Sequence, residues 1–245
     1  GPGPTGHIQM TQSSTPSGAS VLRLALALTA FGVPQAVAAQ TIPSPYRFIE
    51  ERQAVDLQAG YLVANPGQFD FGPKSGPLAG ARWGILVGGT FAIEVGAWYS
   101  PTTRDVIDLE RDEGDRRVGE ADMQLLAGLA DLRFNLVGDR TWNRLTPYVT
   151  VGGGLLFDVG GSQNADLLLE PEQRFSMGTS ILARGGAGTT LILTRHLELR
   201  GDAVFQLYQV DTPGGWLQLE PELGPLPQDE WVNGWALTLG LGWRF

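Results

Sequence analysis

From Gln53 to the carboxyl terminus the chain repeats one pattern, apolar residues alternating with polar or small ones. The cleanest copy is the last: Asn233, Trp235, Leu237, Leu239, Leu241, Trp243 and Phe245 alternate with Val232, Gly234, Ala236, Thr238, Gly240, Gly242 and Arg244. A period of two marks a strand with two unlike faces. The alternation predicts eight strands, over about 54–64, 78–87, 90–100, 121–137, 146–158, 179–193, 197–209 and 232–245. Gly88-Gly89 makes a tight hairpin between the second and third. The first half of the fourth reads in either phase, and a β-bulge is the expected cause. The connections alternate in length: 65–77, 101–120, 159–178 and 210–231 are long, while Gly88-Gly89, 138–145 and 194–196 are short.

A soluble barrel can show the same alternation, so composition has to decide which face is wet. Lys74 is the only lysine, far fewer than the outside of a soluble barrel of this size would carry. Most segments reach the roughly 9–11 residues of a tilted transmembrane strand. If the apolar row meets lipid, the sheet must close, because an open edge in hydrocarbon leaves backbone groups unpaired. The predicted fold is therefore all-β, an eight-stranded antiparallel up-and-down transmembrane β-barrel over 53–245. Chain ends and short turns belong on the periplasmic side and the four long loops outside. A closed barrel has no free edge, so a monomer is expected.

The other row then faces the bore. It carries Asp56, Glu94, Asp131, Glu198 and Asp202 together with Arg82, Arg133, Arg184, Arg200 and Arg244. A midplane Arg facing lipid costs about 2–4 kcal/mol, and unpaired charge in a closed core costs more. These ten residues are expected to pair into a network that plugs a bore only wide enough for its own side chains. A narrow polar path gated by rearranging the pairs is the alternative. Tyr61, Trp83, Tyr99, Trp142, Phe157, Trp231, Trp235, Trp243 and Phe245 sit near segment ends, where amphipathic rings favour the headgroup level. Trp98 points inward near the outer mouth.

Other chemistry is thinly represented. Without cysteine there is no disulfide, thiolate metal site or thiol nucleophile. One histidine, His196, follows the expected export segment, in a short turn on the periplasmic side, so no base accompanies a nucleophile in an outward loop. No enzymatic activity and no cofactor or metal are expected. The acids of 104–120 lack the order of a calcium loop, and that charge run reads as solvated surface. A net charge of −9 argues against nucleic acid.

Residues 1–39 have the form of a secretory signal peptide: Arg23, the apolar run Leu24 to Val33, then Ala36-Val37-Ala38-Ala39. Cleavage after Ala39 would leave 40–52 as a short periplasmic segment. Met10 is a candidate start, with 1–9 an upstream extension.

Three stretches carry a family resemblance: Thr146-Pro147-Tyr148-Val149-Thr150-Val151-Gly152-Gly153-Gly154, Gly185 to Gly188 running through Leu193-Thr194-Arg195-His196-Leu197-Glu198-Leu199-Arg200, and Leu239 to Phe245. In order and spacing the chain resembles the membrane domain of OmpA-like, opacity-type outer-membrane barrels over about 50–245. The resemblance implies a bacterial outer-membrane protein, an envelope component, adhesin or small porin, set in outer-membrane lipid and lipopolysaccharide. It also implies that Trp243 and Phe245 are read by the barrel-assembly machinery as a transient partner. The peptidoglycan-binding domain common in that group is not expected here. A structural or surface-interaction barrel, with an extracellular ligand met through its loops, is the leading expectation. A small porin or leak channel comes second and a lipid-modifying enzyme third.

Overall fold

A computed structural model describes residues 44–112, 114–217 and 228–245. The signal-type segment, its cleavage point and Met10 lie outside the described residues. Eight long strands form the wall: β2 (Gln53–Ala64), β3 (Gly76–Gly88), β4 (Phe91–Ile107), β5 (Arg117–Asn135), β7 (Leu145–Asp158), β8 (Thr179–Ile192), β9 (Leu197–Asp211) and β10 (Asp229–Arg244). Each pairs antiparallel with the next, and β10 returns to β2 through eleven paired positions from Gly234↔Ala64 to Arg244↔Ala54. Cross-strand partners traced from Ala54 run Gly84, Glu94, Asp131, Gly152, Arg184, Gln206 and Gly234 and re-enter β2 at Ala64. The sheet thus closes with a stagger of ten residues, which tilts the strands across the wall.

The seam is completed at its base by the last residue: Gln53 and Phe245 exchange backbone hydrogen bonds of 3.2 and 3.0 Å. Val55, Leu57, Ile93, Val95, Leu132, Val151, Ile181, Leu237, Leu239 and Leu241 are exposed on the outside, while the ten predicted inward charges lie at or near burial inside. A water-soluble barrel with that distribution would be inside out; in a bilayer it is the stable arrangement.

Four sequence expectations are corrected. β5 has no bulge. Its inward face runs in one phase from Ala121 through Met123, Leu125, Ala127 and Leu129 to Asp131, Arg133 and Asn135, and the β4–β5 register shifts only at Val106/Ile107. The phase is ambiguous in the sequence because the solvent changes along the strand: below, Leu132 and Phe134 face lipid, whereas above, Glu120, Asp122 and Gln124 face water and the apolar side chains turn inward. Second, β4 and β5 extend to Ile107 and Arg117, so most of 101–120 is hairpin rather than loop. Third, the 138–145 connection contains a strand, β6 (Arg140–Trp142), which pairs with β1 (Tyr46–Phe48) in the segment before the barrel. Fourth, the bore is not polar throughout. Its outer part is an apolar core of Leu62, Leu78, Trp98, Met123, Leu125, Leu156, Leu182, Tyr208, Val210 and Val232.

Candidate functional site: a charged bore under an apolar cap

Alternation places one residue in two on the bore, and the stagger stacks neighbouring strands so that charges from β2, β3, β4 and β9 meet at one depth. Glu94 is the hub. Arg200 grips its carboxylate with two hydrogen bonds, Nη1 to Oε1 at 2.6 Å and Nη2 to Oε2 at 2.8 Å. Arg133 adds a 2.8 Å contact and Arg82 one of 3.7 Å. Arg82 also reaches Asp202 at 3.1 Å and Asp56 at 3.7 Å, and Arg200 reaches Asp202 at 3.3 Å and Asp56 at 3.8 Å. Arg184 lies 3.5 Å from Asp131, and Arg244 pairs with Glu198 at 2.9 Å near the short-turn end. The structure thus brings all ten residues into the bore, as one hub and two flanking pairs.

Tyr148 is a member that charge alone does not reveal. Its hydroxyl accepts from Arg200 Nε at 2.5 Å and donates to Asp202, while the Arg200 guanidinium lies 4.5 Å from its ring centroid. Gly188 makes this possible, since a Cβ there would run into the phenol oxygen and the Gly201 carbonyl. The inward phase of Thr146, Tyr148 and Thr150 was readable in the sequence, but the partners of the phenol were not. Between Asp56, Glu94, Arg133, Glu198 and Arg244 a space of about 20 Å³ remains, room for about one water molecule.

Above the charges, the loops close over the apolar core. Phe71 packs against Trp216 at 4.9 Å and Phe175 at 5.4 Å, and Phe69 meets Trp216 at 6.0 Å. Trp216 belongs to a short helix, α1 (Gly214–Leu217), and is buried. Trp98, predicted to point inward at the outer mouth, is part of this core. The run 104–120 is not simply solvated: Arg104 is buried and bonds Asp166 of the 159–178 loop at 2.5 Å, while Lys74, Asp105, Arg117 and Glu120 form an exposed network beside it. Sequence gives no hint of the Arg104–Asp166 pair, because its partners sit in separate loops.

The aromatic residues lie on the outside. Tyr61, Tyr99 and Trp235 are exposed toward the loop end, with Phe157 and Trp231 beyond them, and Trp83, Trp243 and Phe245 are exposed toward the short-turn end. Trp142 is exposed on β6. His196 stacks on Trp243 at 5.4 Å, and its Nδ1 is 3.1 Å from the Arg244 carbonyl oxygen. Across the short-turn mouth, Arg195 bonds Glu51 at 2.5 Å and Glu50 at 3.1 Å. That hydrogen bond holds the Glu51 carboxyl below the usual glutamate range.

A closed eight-stranded wall, a lipid-facing apolar belt and an ionic interior define a transmembrane β-barrel of the bacterial outer-membrane type. One solved structure agrees on the fold, and two more align over a similar share of the chain. Neisserial surface protein A aligns over 79% of this chain and 97% of its own, at 14% identity and a TM-score of 0.51. The outer membrane protein OprG from Pseudomonas aeruginosa aligns over 80% and 97%, at 15% identity and a TM-score of 0.48. The N-terminal β-barrel domain of Pseudomonas aeruginosa OprF aligns over 80% and 100%, at 16% identity and a TM-score of 0.42. No family model and no curated protein matches the chain.

Proposed function

We propose that the protein is a non-conducting outer-membrane barrel of the structural or surface-interaction type, with its outer end presented to the surroundings. The observation that carries this reading is the bidentate Arg200–Glu94 pair at the centre of the bore, both partners buried, beneath the apolar Phe71–Phe175–Trp216 cap. Ions would have to displace that pair and part the cap. Extracellular ligands would be met by the protruding β4–β5 hairpin and the loops packed beside it. In this reading the chain is exported by its N-terminal signal, folded by the barrel-assembly machinery through Trp243 and Phe245, and stands as a monomer among lipopolysaccharide without enzymatic activity.

A small-solute channel is the second reading. It is favoured by the buried polar atoms along the bore that have no hydrogen-bond partner among the described residues, including Arg184 Nε and both side-chain polar atoms of Gln206, which a hydrated path would satisfy. Single-channel recording of the refolded protein in a planar bilayer decides between them. A folded, silent barrel is expected. Steady unitary openings would overturn the non-conducting reading.

A further inference from the structure

At the short-turn end, residues 44–52 cross the barrel mouth as a strap. β1 pairs with β6, the Arg52 carbonyl accepts from Leu86 N at 2.7 Å, and the Glu51 carbonyl accepts from Arg244 Nη2 at 3.0 Å. Between the strap, Arg144 and the β8–β9 turn lies a cleft of about 270 Å³. Its cations do not all have partners. Arg195 is taken by Glu50 and Glu51, and Arg244 by Glu198, whereas Arg47 and Arg144 make no ion pair among the described residues. Two uncompensated guanidinium groups therefore share one cleft on a chain whose net charge is −9.

The inner wall is also incomplete. Thr141 pairs in register with Arg47, which places both side chains on one face of the β1–β6 ribbon. Thr141 lines the cleft and is only 5% exposed, and its buried hydroxyl has no hydrogen-bond partner among the described residues. The remaining wall is apolar, from Phe48, Ile49, Ile192 and Leu193, with Phe48 and Leu193 exposed and the Arg140 guanidinium 4.6 Å from the Phe48 ring centroid. A guanidinium pair, a buried hydroxyl donor and an apolar exit are the complement of one kind of ligand, an anionic head on a hydrocarbon tail.

We propose that this cleft binds the anionic head of an amphiphile at the periplasmic surface, Arg47 and Arg144 holding the head, the Thr141 hydroxyl donating to it, and the tail leaving past Phe48 and Leu193. The head is a phosphate diester or a carboxylate, supplied by an inner-leaflet phospholipid or by a free fatty acid. The site is independent of whether the bore conducts.

The test is titration of the full refolded protein in a non-ionic detergent with lyso-phosphatidylglycerol, with oleate, and with lyso-phosphatidylcholine as the net-neutral control, whose phosphate diester is offset by its own quaternary ammonium. Saturable binding of at least one anionic probe is expected, weakened by about tenfold or more in the Arg47→Gln/Arg144→Gln variant, as loss of a charge-assisted bond predicts. Preference for lyso-phosphatidylglycerol assigns the phospholipid and preference for oleate the fatty acid, and either supports the site. Thr141→Val, which keeps both charges, should give a smaller loss. Unchanged heat-modifiable migration on gels shows that both variants fold. Equal binding of lyso-phosphatidylcholine, no saturable binding of either anion, or equal affinity in the folded double variant would overturn the proposal.

Discussion

Replacing Glu94 by Gln tests whether the bore is a dry ionic core. The change keeps shape and removes one negative charge from the contact of three arginines, Arg200 at 2.6 Å, Arg133 at 2.8 Å and Arg82 at 3.7 Å. Of the remaining acids nearby, Asp56 and Asp202 are already shared by Arg82 and Arg200, and Glu198 is paired with Arg244, so none is free to take the place of Glu94 for Arg133. Breaking a buried pair by removing one partner costs about 3–5 kcal/mol, because the other charge stays buried without compensation. With a urea slope of about 2–3 kcal/mol per molar, the unfolding midpoint should fall by on the order of 1–2 M. The assay is urea unfolding in lipid vesicles followed by tryptophan fluorescence. Arg195→Ala is the control; its side chain is 68% exposed and its pairs with Glu50 and Glu51 are screened, so no measurable shift is expected. Removing also the cation that the loss of Glu94 strands, Glu94→Gln with Arg133→Met, should cost less than Glu94→Gln alone. If Glu94→Gln shifts the midpoint no more than Arg195→Ala, water screens the network and the plugged-bore reasoning fails.

Two further outcomes are expected. Trp216→Ala removes a buried indole that contacts Phe69 and Phe71, at a cost of about 3–5 kcal/mol confined to the cap, so protease should cut the loops faster while the membrane barrel stays resistant. The Glu51–Arg195 contact gives the strap a pH dependence. A carboxyl whose folded pKa is depressed contributes stability that is present above its ordinary unfolded value and lost as pH falls through the folded one. Exchange of the Ile49 amide, bonded to the Asp139 carbonyl at 2.9 Å, should therefore speed up relative to other strand amides under acid conditions, and Glu51→Gln should abolish that difference.

The eight wall strands are legible because a half-lipid, half-interior strand needs strict alternation, and β9 and β10 keep it without interruption. The inward charges are legible for the same reason: Arg200 and Asp202 share a phase that excludes lipid. What could not be read is whatever depends on partners distant in sequence. β1 and β6 are three residues each, too short to show a period, and their pairing joins Tyr46 to Trp142. Arg104 reads as solvated because Asp166, which buries it, lies in another long loop. β5 misleads locally because its upper turns protrude from the membrane, where apolar residues belong inside, so the pattern keeps its phase while its meaning reverses.

The seam between β2 and β10 also sets a constraint in time. Asp56 faces Gly242 and Val55 faces Trp243, so the strand made first in the wall is completed only by the one made last. Until then both rims of the growing sheet carry unpaired amides and carbonyls that hydrocarbon cannot satisfy. A partly synthesised chain therefore has no stable resting place in the bilayer. It must be kept unfolded in water until Phe245 is available, and insertion and closure then become a single event rather than a sequence of independent hairpins.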